Sequence, residues 1–296
     1  MKNKKIISRL EGGLGNQMFQ YAFAKAFSLR NKANFYLDKT SGFDFDIYKR
    51  VYLLYQFSGP TKVDENIGLY QLYKNRYIRK LFRMLNNSLG LNMILQEKNI
   101  HTYNKIYLLS QNLLLVLEGY WQSPKYFSEY IEIIKKDFEI VETMEEATLE
   151  EAELINSCKI TTALCFRFFQ EVENADMDFQ KKALYYNKAI GKIENNLTEQ
   201  KFVVFCNDVT MAKEFIQNYL SLNHSNVIYI SEKSENERAV QDLYLLKLCN
   251  NYILSASTLH WWGAFLSHNP NKIITQKNYV NNDIIQDEWE VVNLNE

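Results

Sequence analysis

Three of the ten glycines of this 296-residue chain fall within four positions, between a short apolar run and a helical pattern. The apolar run at residues 6–10 is typical of a β-strand, and residues 18–27 repeat apolar side chains at spacings of three and four. A second short apolar run follows at residues 35–37. This order of strand, glycine loop, helix and strand predicts the start of an open α/β sheet.

The glycine loop is the first candidate binding element. Glycine lets a backbone approach a ligand closely, and the N–H groups at a helix start attract anions. Gly13, Leu14 and Gly15 are therefore candidate contacts to a phosphate or a nucleotide sugar, while a tight turn without a ligand explains the same glycines. The spacing fits neither G-x-G-x-x-G nor G-x-x-x-x-G-K-[ST].

Three segments of the chain resemble one known family in the same order. Residues 12–26, GGLGNQMFQYAFAKA, resemble the N-terminal signature of the α-1,2-fucosyltransferases of glycosyltransferase family 11. Residues 117–127 resemble the family segment G-Y-[FW]-Q-S-x-K-Y-F, and residues 242–266 resemble its D-L-x-L-M to S-T-F-S-W-W-G-A-W-L block. The resemblance extends over nearly the whole chain, from Gly12 to about Lys272.

Strand-like and helical patterns alternate in the second half of the chain. The strand-like runs lie at residues 160–166, 202–206, 227–230, 252–255 and 272–274. Helical patterns separate most of them, at residues 185–193, 210–219 and 237–249. This alternation predicts parallel βαβ units. We therefore expect an α/β fold of two facing Rossmann-like domains, the GT-B-like arrangement that the resemblance also implies: an acceptor-side domain at 1–155 and a nucleotide-sugar-binding domain at 156–296.

Two helices are predicted in the first half, over roughly residues 67–91 and over residues 126–138. In the first, the apolar positions should turn inward: Tyr70, Tyr73, Tyr77, Leu81 and Leu85. Its cations should share the opposite, solvated face: Arg76, Arg79, Lys80 and Arg83. A weak membrane-surface role for that basic face stays open.

Polar residues that end the apolar runs are the next candidates, because ligands of open α/β sheets bind at the carboxyl ends of the strands. They are Arg167, Asn207, Asp208, Ser257 and Thr258. A guanidinium suits a pyrophosphate, although an arginine in such a place also pairs with buried carboxylates. Helix capping explains Ser257 and Thr258 as well as a phosphate contact does.

His260 and Asp242 complete the donor-binding candidates. His260 lies close enough to the predicted phosphate site to donate a hydrogen bond, or it is a satisfied surface residue. Asp242 begins a helical pattern and caps that helix or, as its position in the family block implies, holds the guanine or the ribose. Trp261 and Trp262 are expected in the core.

The chain departs from the family at one motif. Where the family carries H-x-R-R-x-D, residues 165–170 read CFRFFQ. Only Arg167 matches, since Cys165, Phe168 and Gln170 replace the histidine, the second arginine and the aspartate. Glu171 and Glu173 follow and could replace the missing carboxylate. The identity of the donor sugar is therefore open.

The resemblance implies an inverting transfer of L-fucose from GDP-L-fucose to the 2-hydroxyl of a galactose-type glycan, in the synthesis of a surface polysaccharide. Arg167 and the N–H groups of residues 13–16 would stabilise the departing GDP, and Asn16 would orient donor or acceptor. Candidate bases for the acceptor proton are Glu11, Glu171 and Glu173. The alternatives are a related transferase with a different donor and a non-catalytic homologue that binds a glycan or a nucleotide.

Composition limits the partners. A net charge of -1 gives no general attraction to nucleic acid, and no apolar run is long enough to span a bilayer. Four scattered histidines and four cysteines without a C-x-x-C pair give no zinc pattern and suit a reducing compartment. Animal Golgi members of the resembled family carry a membrane anchor, and no such segment is found here. The resemblance therefore implies a bacterial, cytoplasmic enzyme, with peripheral association at the inner face of the membrane left open. No metal or other cofactor is expected, because neither D-x-D pair clearly ends a strand: Asp44 with Asp46, and Asp176 with Asp178.

Overall fold

The computed structural model describes residues 4–62, 70–100, 102–105, 114–168, 175–193, 199–230, 235–277 and 282–294. The chain divides into two compact units. The first comprises Met1–Glu142 with Val280–Ile284, and the second comprises Thr143–Tyr279 with Ile285–Glu296. The domain boundary expected at residue 155 stays a prediction.

The first unit is built on a four-stranded sheet in which every pair of neighbours is parallel. Its strands are β1 (Lys5–Arg9), β2 (Asn34–Asp38), β3 (Ile94–Gln96) and β4 (Leu114–Glu118). The strand order is β2-β1-β4-β3, and helix α1 (Leu14–Asn31) connects β1 to β2 as the glycine loop predicts. All carboxyl ends of parallel strands share one edge of the sheet, so the loops after β1 and β4 are neighbours.

Helix α1 is buried along most of its length, because aromatic and small apolar residues occupy nearly all of its sides. Phe23 stacks on Trp121 with ring centroids 4.2 Å apart, and Phe19 and Phe27 are fully buried. The helix ends at Lys32, which adopts the left-handed conformation at φ 49°. This packing holds the start of α1 against the sheet, and the adjoining glycine loop is held in place as a result.

The single helix expected over residues 67–91 is wrong. Two helices occur instead, α2 (Tyr70–Lys74) and α3 (Arg76–Ser88). Asn75 separates them with an extended backbone, and its side chain accepts hydrogen bonds from the N–H groups of Tyr77 (3.0 Å) and Ile78 (3.3 Å). Asn75 is therefore the N-cap residue of α3.

The predicted faces of this region are correct for α2 and inverted for α3. Tyr70 and Tyr73 are buried as expected, but Tyr77 is 76% exposed while Arg79 is only 7% exposed. The cause lies in the buried carboxylate of Glu118, which requires a charged partner and receives one from Arg83. Arg79 and Arg83 therefore turn toward the sheet, whereas Arg76 and Lys80 are exposed as predicted.

The helix expected over residues 126–138 begins later than predicted. Single 3-10 turns at Pro124–Tyr126 and Ser128–Tyr130 precede helix α4 (Ile131–Asp137). Pro124 fixes the first of these turns, in which the hydroxyl of Ser123 accepts a hydrogen bond from the N–H of Lys125.

The second unit contains a six-stranded sheet in which all neighbours are again parallel. Its strands are β5 (Ile160–Cys165), β6 (Gln200–Phe205), β7 (Val227–Tyr229), β8 (Asn251–Ile253), β9 (Lys272–Gln276) and β10 (Glu290–Val292). The strand order is β10-β9-β8-β5-β6-β7. Its helices are α5 (Glu146–Ser157), α6 (Ala175–Ile193), α7 (Val209–Tyr219), α8 (Glu235–Leu246) and α9 (Thr258–Phe265). The predicted α/β class is confirmed in both units.

Close packing holds α9 on α8. A Cβ atom added to Gly263 would lie 2.6 Å from the Cβ of Leu246, so only glycine permits this approach. Trp261 and Trp262 are fully buried, as the sequence predicts. Among the helices of the described ranges, none combines the length and the apolar character needed to cross a bilayer.

Candidate functional site

Arg167 lies immediately beyond the carboxyl end of β5, in the centre of the second sheet. The N–H of Phe166 donates to the carbonyl of Phe205 at 2.8 Å, so the pairing with β6 extends past the end of β5. Phe166 and Phe168 are buried in the aromatic core, whereas Arg167 is half-buried. Because side chains alternate along an extended chain, Arg167 points away from that core.

Asn207 fixes the backbone beside Arg167. Its Nδ2 donates to the carbonyl of Phe168 and its Oδ1 accepts from the N–H of Phe168, both at 2.8 Å. Asn207, which the sequence predicts to bind the nucleotide sugar, thus also stabilises the backbone that carries Arg167. Its direct contact to a donor stays a prediction.

His260 is brought close to Arg167, because β8 and β5 are neighbours in the sheet. The imidazole is 7% exposed, and its Nδ1 lies 2.8 Å from the hydroxyl of Ser255. Burial and then the nearby charge of Arg167 lower the pKa of His260 from 6.5 to about 3. The alternative of a surface histidine is therefore wrong: the ring is buried and electrically neutral at physiological pH.

Ser257 and Thr258 lie at the start of α9, next to His260. Ser257 is the N-cap residue, with an extended backbone at φ −121° and ψ 128°. Within the described part of the chain its hydroxyl makes no capping hydrogen bond to the helix, so capping does not account for this serine. A half-buried hydroxyl at the positive end of a helix dipole suits an anionic ligand.

The two acidic candidates have structural partners. Asp208 caps α7, since its Oδ1 accepts from the N–H of Met211 at 2.9 Å. Asp242 lies inside α8, so the alternative that it caps this helix is wrong. Its Oδ1 accepts from Nε of Arg238 at 2.7 Å, and Arg238 also pairs with Glu151 of α5. Burial raises the pKa of Asp242 to about 7 against the opposing effect of Arg238.

The residues that replace the family motif are part of the core. Cys165 is fully buried, burial raises the pKa of its thiol well above the ordinary value, and its carbonyl accepts from the hydroxyl of Tyr186 at 2.6 Å. Phe168 stacks on Phe166 at 5.7 Å and packs edge-on against Phe215. Three remaining positions, Gln170, Glu171 and Glu173, lie outside the described residues.

The glycine loop of the first unit has a specific backbone requirement at Gly12. Its φ of +81° disfavours any side chain, and an added Cβ would lie 2.8 Å from Nδ2 of Asn16. Gly13 follows as the extended N-cap residue of α1, and Leu14 and Gly15 are buried in the first turn. The candidates of this loop therefore stand at a helix N-terminus, as the sequence predicts.

Two buried glutamines of α1 hold this loop, and sequence reasoning missed both. Gln20 accepts from the N–H of Glu11 at 2.9 Å and donates to its carbonyl at 3.2 Å. Gln17 donates to the carbonyl of Gly12 at 2.9 Å and accepts from the N–H of Leu53 at 3.0 Å. The available signal was the presence of two glutamines in the otherwise apolar run of residues 17–24.

A second polar cluster forms where the loops after β1 and β4 meet. Nε2 of Gln122 donates to Oδ1 of Asn16 at 2.9 Å. Glu11, a candidate base, pairs with Arg9. Burial, followed by the nearby carboxylate of Glu11, raises the pKa of Tyr120. Asn16, Glu11, Tyr120 and Gln122 thus gather at the carboxyl edge of the first sheet.

The first D-x-D pair has a local explanation. Oδ1 of Asp46 accepts from the N–H of Tyr48 at 2.8 Å, and Oδ2 lies 3.9 Å from Arg50. The side chains of Asp176 and Asp178 are outside the described part of the chain. Among the described residues, no group of three histidine, cysteine or acidic side chains could hold a metal ion. Metal-free catalysis stays a prediction.

Comparison with known proteins gives a match along almost the entire chain. The model for glycosyl transferase family 11 matches residues 5–294. The Escherichia coli O-antigen biosynthesis glycosyltransferase WbnK is 29% identical over 303 residues, covering 91% of this chain and 92% of the relative. An α-1,2-colitosyltransferase of Escherichia coli is 24% identical over 273 residues, covering 89% of this chain and 88% of the relative.

Solved structures show the same fold at low sequence identity. A mutant of Arabidopsis thaliana FUT1 in complex with GDP has a TM-score of 0.58 and 12% identity, covering 92% of this chain and 70% of its own. The α-1,6-fucosyltransferase NodZ soaked with GDP-fucose has a TM-score of 0.55 and 13% identity, covering 92% and 94%. NodZ from Bradyrhizobium matches with a TM-score of 0.54 and 12% identity over 92% and 96%. These matches confirm a GT-B-like fold with two Rossmann-like domains.

Proposed function

The chain belongs to glycosyltransferase family 11, and we propose that it transfers L-fucose from GDP-L-fucose to the 2-hydroxyl of a galactose-type residue. A surface polysaccharide is the proposed acceptor. Two relatives support this proposal, since one is named for O-antigen biosynthesis and the other for an α-1,2 transfer. The proposed reaction takes place in the cytoplasm.

The placement of Arg167 beside the buried His260 carries the proposal. The pyrophosphate of the donor would lie at the carboxyl ends of β5 and β8, where ligands of open α/β sheets bind. Arg167 would supply a full positive charge that Asn207 holds in place through Phe168. A neutral His260 carries one ring N–H. In this proposal the Ser255 hydroxyl donates to Nδ1, and the N–H on Nε2 donates to the ligand.

Inverting transfer makes one bond and breaks one. The acceptor oxygen attacks the anomeric carbon of the sugar, the bond from that carbon to GDP breaks, and a carboxylate accepts the hydroxyl proton. GDP gains negative charge as it departs, so groups aimed at its phosphates lower the barrier. In this proposal Arg167 and the start of α9 at Ser257 and Thr258 supply them without a metal ion.

The acceptor side of the proposal rests on the cluster after β1 and β4. Asn16, held by Gln122, would bind a sugar hydroxyl, and Glu11 is the described candidate for the base. Glu11 forms an ion pair with Arg9, so in this proposal the pair opens before the Glu11 carboxylate takes the acceptor proton. Glu171 and Glu173 are retained as alternative bases.

The proposal is tested with the purified chain, GDP-L-fucose and a panel of galactosides. Expected results are release of GDP together with a fucosylated product, and the same rate in excess EDTA. Activity that EDTA abolishes and manganese restores would contradict the metal-free route, because a required divalent ion supplies several kcal/mol of stabilisation. Product analysis by NMR checks the linkage and the inversion.

A second donor has a specific observation in its favour. The chain is 24% identical to an α-1,2-colitosyltransferase, and Phe168 stands where the fucosyltransferase motif has its second arginine. A different sugar beside this phenylalanine is consistent with both facts. Supplying the GDP-activated forms of fucose and colitose in competition would separate the two donors. Binding of either without product would instead identify a non-catalytic homologue.

A further inference from the structure

Helix α3 carries an apolar face that the described residues of the first unit leave exposed. We call this surface the α3 face. Its members recur at helical spacing and are all exposed: Tyr77, Ile78, Leu81, Met84 and Leu85. Leu81 is 52% exposed and Met84 is 61% exposed. An ordinary surface helix of a globular protein turns such a stripe toward the core.

Specific contacts on the opposite side hold α3 in this orientation. Arg83 donates to Glu118 of β4 through Nε at 2.8 Å and forms an ion pair through its terminal nitrogen at 2.7 Å. Oδ1 of Asn86 accepts from the N–H of Met93 at 2.8 Å. Phe82 packs edge-on against Tyr73 of the core at 5.7 Å. Rolling the α3 face inward would break the pair with Glu118 and leave a buried carboxylate unpaired.

Charge in the segment that carries the α3 face is of one sign. From residue 70 to residue 96 the chain has five cationic residues and no acidic one, although its net charge is -1. Arg79 is buried and Arg83 is paired, whereas Arg76 and Lys80 are exposed on α3. A helix that combines exposed bulky apolar residues with flanking cations has the character of an interfacial helix.

The apolar surface continues into the loop after β2. The guanidinium of Arg76 lies 4.7 Å from the ring centroid of Phe45 and 5.8 Å from that of Tyr77. Phe45 is itself largely exposed. Arg76 therefore lies between two exposed aromatic rings, a combination favoured at the headgroup level of a bilayer.

We propose that the α3 face docks this protein on the surface of an anionic phospholipid membrane. Leu81 and Met84 enter the boundary of the acyl chains, and Arg76 and Lys80 contact the lipid phosphates. A second copy of the chain fits less well. A two-fold interface would place the cations of one copy against the same cationic face of the other. The proposal does not rest on the transferase reaction.

The test is co-sedimentation of the full chain with vesicles of phosphatidylglycerol and phosphatidylcholine, against vesicles of phosphatidylcholine alone. We expect binding to the anionic vesicles that weakens with added salt. Leu81→Glu combined with Met84→Glu should reduce that binding by about tenfold or more, as should Arg76→Glu combined with Lys80→Glu. Leu154→Glu on α5 is the matched control, because Leu154 is 49% exposed and belongs to the second unit.

Circular dichroism and thermal unfolding establish that each variant is folded before it is tested. Equal binding to both kinds of vesicle, or unchanged binding of the Leu81→Glu, Met84→Glu variant, would overturn the proposal. Light scattering supplies the remaining check. A dimer of the unmodified chain that Leu81→Glu dissociates would assign the α3 face to a second copy and would also overturn it.

Discussion

The side-chain amide of Asn207 accepts a hydrogen bond from the N–H of Phe168 and donates one to its carbonyl, each measuring 2.8 Å. Asn207 follows β6 and Phe168 follows β5, so the amide ties the ends of two neighbouring strands together. Arg167 lies on the tied segment. Its position is therefore fixed from the adjacent strand rather than by its own strand alone.

Removal of the Asn207 side-chain amide should lower kcat/KM more than it lowers the stability of the fold. For Asn207→Ala we expect kcat/KM for the nucleotide sugar to fall by about tenfold, since a hydrogen bond of this kind contributes roughly 1 kcal/mol. Steady-state kinetics and thermal unfolding measure the two effects. Asn207→Asp keeps the acceptor but not the donor and should fall to a similar extent. A far larger loss for aspartate would point to direct phosphate contact.

Arg167 should be the most sensitive described residue of the donor site. Arg167→Ala should lower kcat by on the order of a hundredfold or more, because it removes a preorganised charge from the departing phosphate. Arg167→Lys keeps the charge without the planar fork and should retain part of the rate. Arg167→Ala should also raise the pKa of His260, because the Arg167 charge lowers that pKa. NMR titration of the imidazole detects this, and an unchanged pKa would contradict the proximity of the two residues.

His260 should make stability fall in mild acid. Its pKa is about 3 in the folded protein and near 6.5 when unfolded, so below pH 6.5 only the unfolded chain takes up this proton. This contribution is complete above pH 6.5 and is lost as the pH falls toward 3, by at most about 1.4 kcal/mol per pH unit. Urea unfolding at pH 7, 6 and 5 measures it. His260→Gln should show a shallower decline, and an equal slope would contradict the neutral, buried ring.

Gln20 should be required for the glycine loop. Gln20→Ala removes the partner of both the N–H and the carbonyl of Glu11. The change should lower the free energy of unfolding by about 2–4 kcal/mol. Chemical denaturation measures the loss. Gln71→Ala, at an exposed position on α2, is the control and should change stability by less than about 0.5 kcal/mol. A small loss for Gln20→Ala would show that the loop holds its shape without the amide.

Local patterns in the sequence predict much of the fold. The strand, glycine loop and helix around Gly13 were predictable because apolar periodicity and the glycine cluster both act within a few residues. The five strand-like runs from Ile160 onward agree with strands for the same reason. Strands β3, β4 and β10 were not predicted. β3 and β10 are short and carry little periodicity.

Long-range partners determine what the sequence could not predict. The orientation of α3 depends on Glu118, which lies 35 positions from Arg83 along the chain. Asn207 and Phe168 are 39 positions apart, and their pairing depends on the neighbouring placement of β5 and β6. Helical periodicity indicates that α3 is amphipathic, but it does not indicate which face the protein buries.

The burial of Phe168 makes an arginine at this position unfavourable. Its ring contacts Phe166, Phe179 and Phe215, and Nζ of Lys182 lies 5.5 Å from its centroid. Phe168→Arg alone is not expected to restore the second arginine of the family motif, because the new guanidinium would enter an aromatic core beside an existing cation. An unpaired buried charge costs several kcal/mol, comparable with the whole stability of many proteins. We therefore expect position 168 to tolerate only apolar residues unless the neighbouring side chains are changed as well.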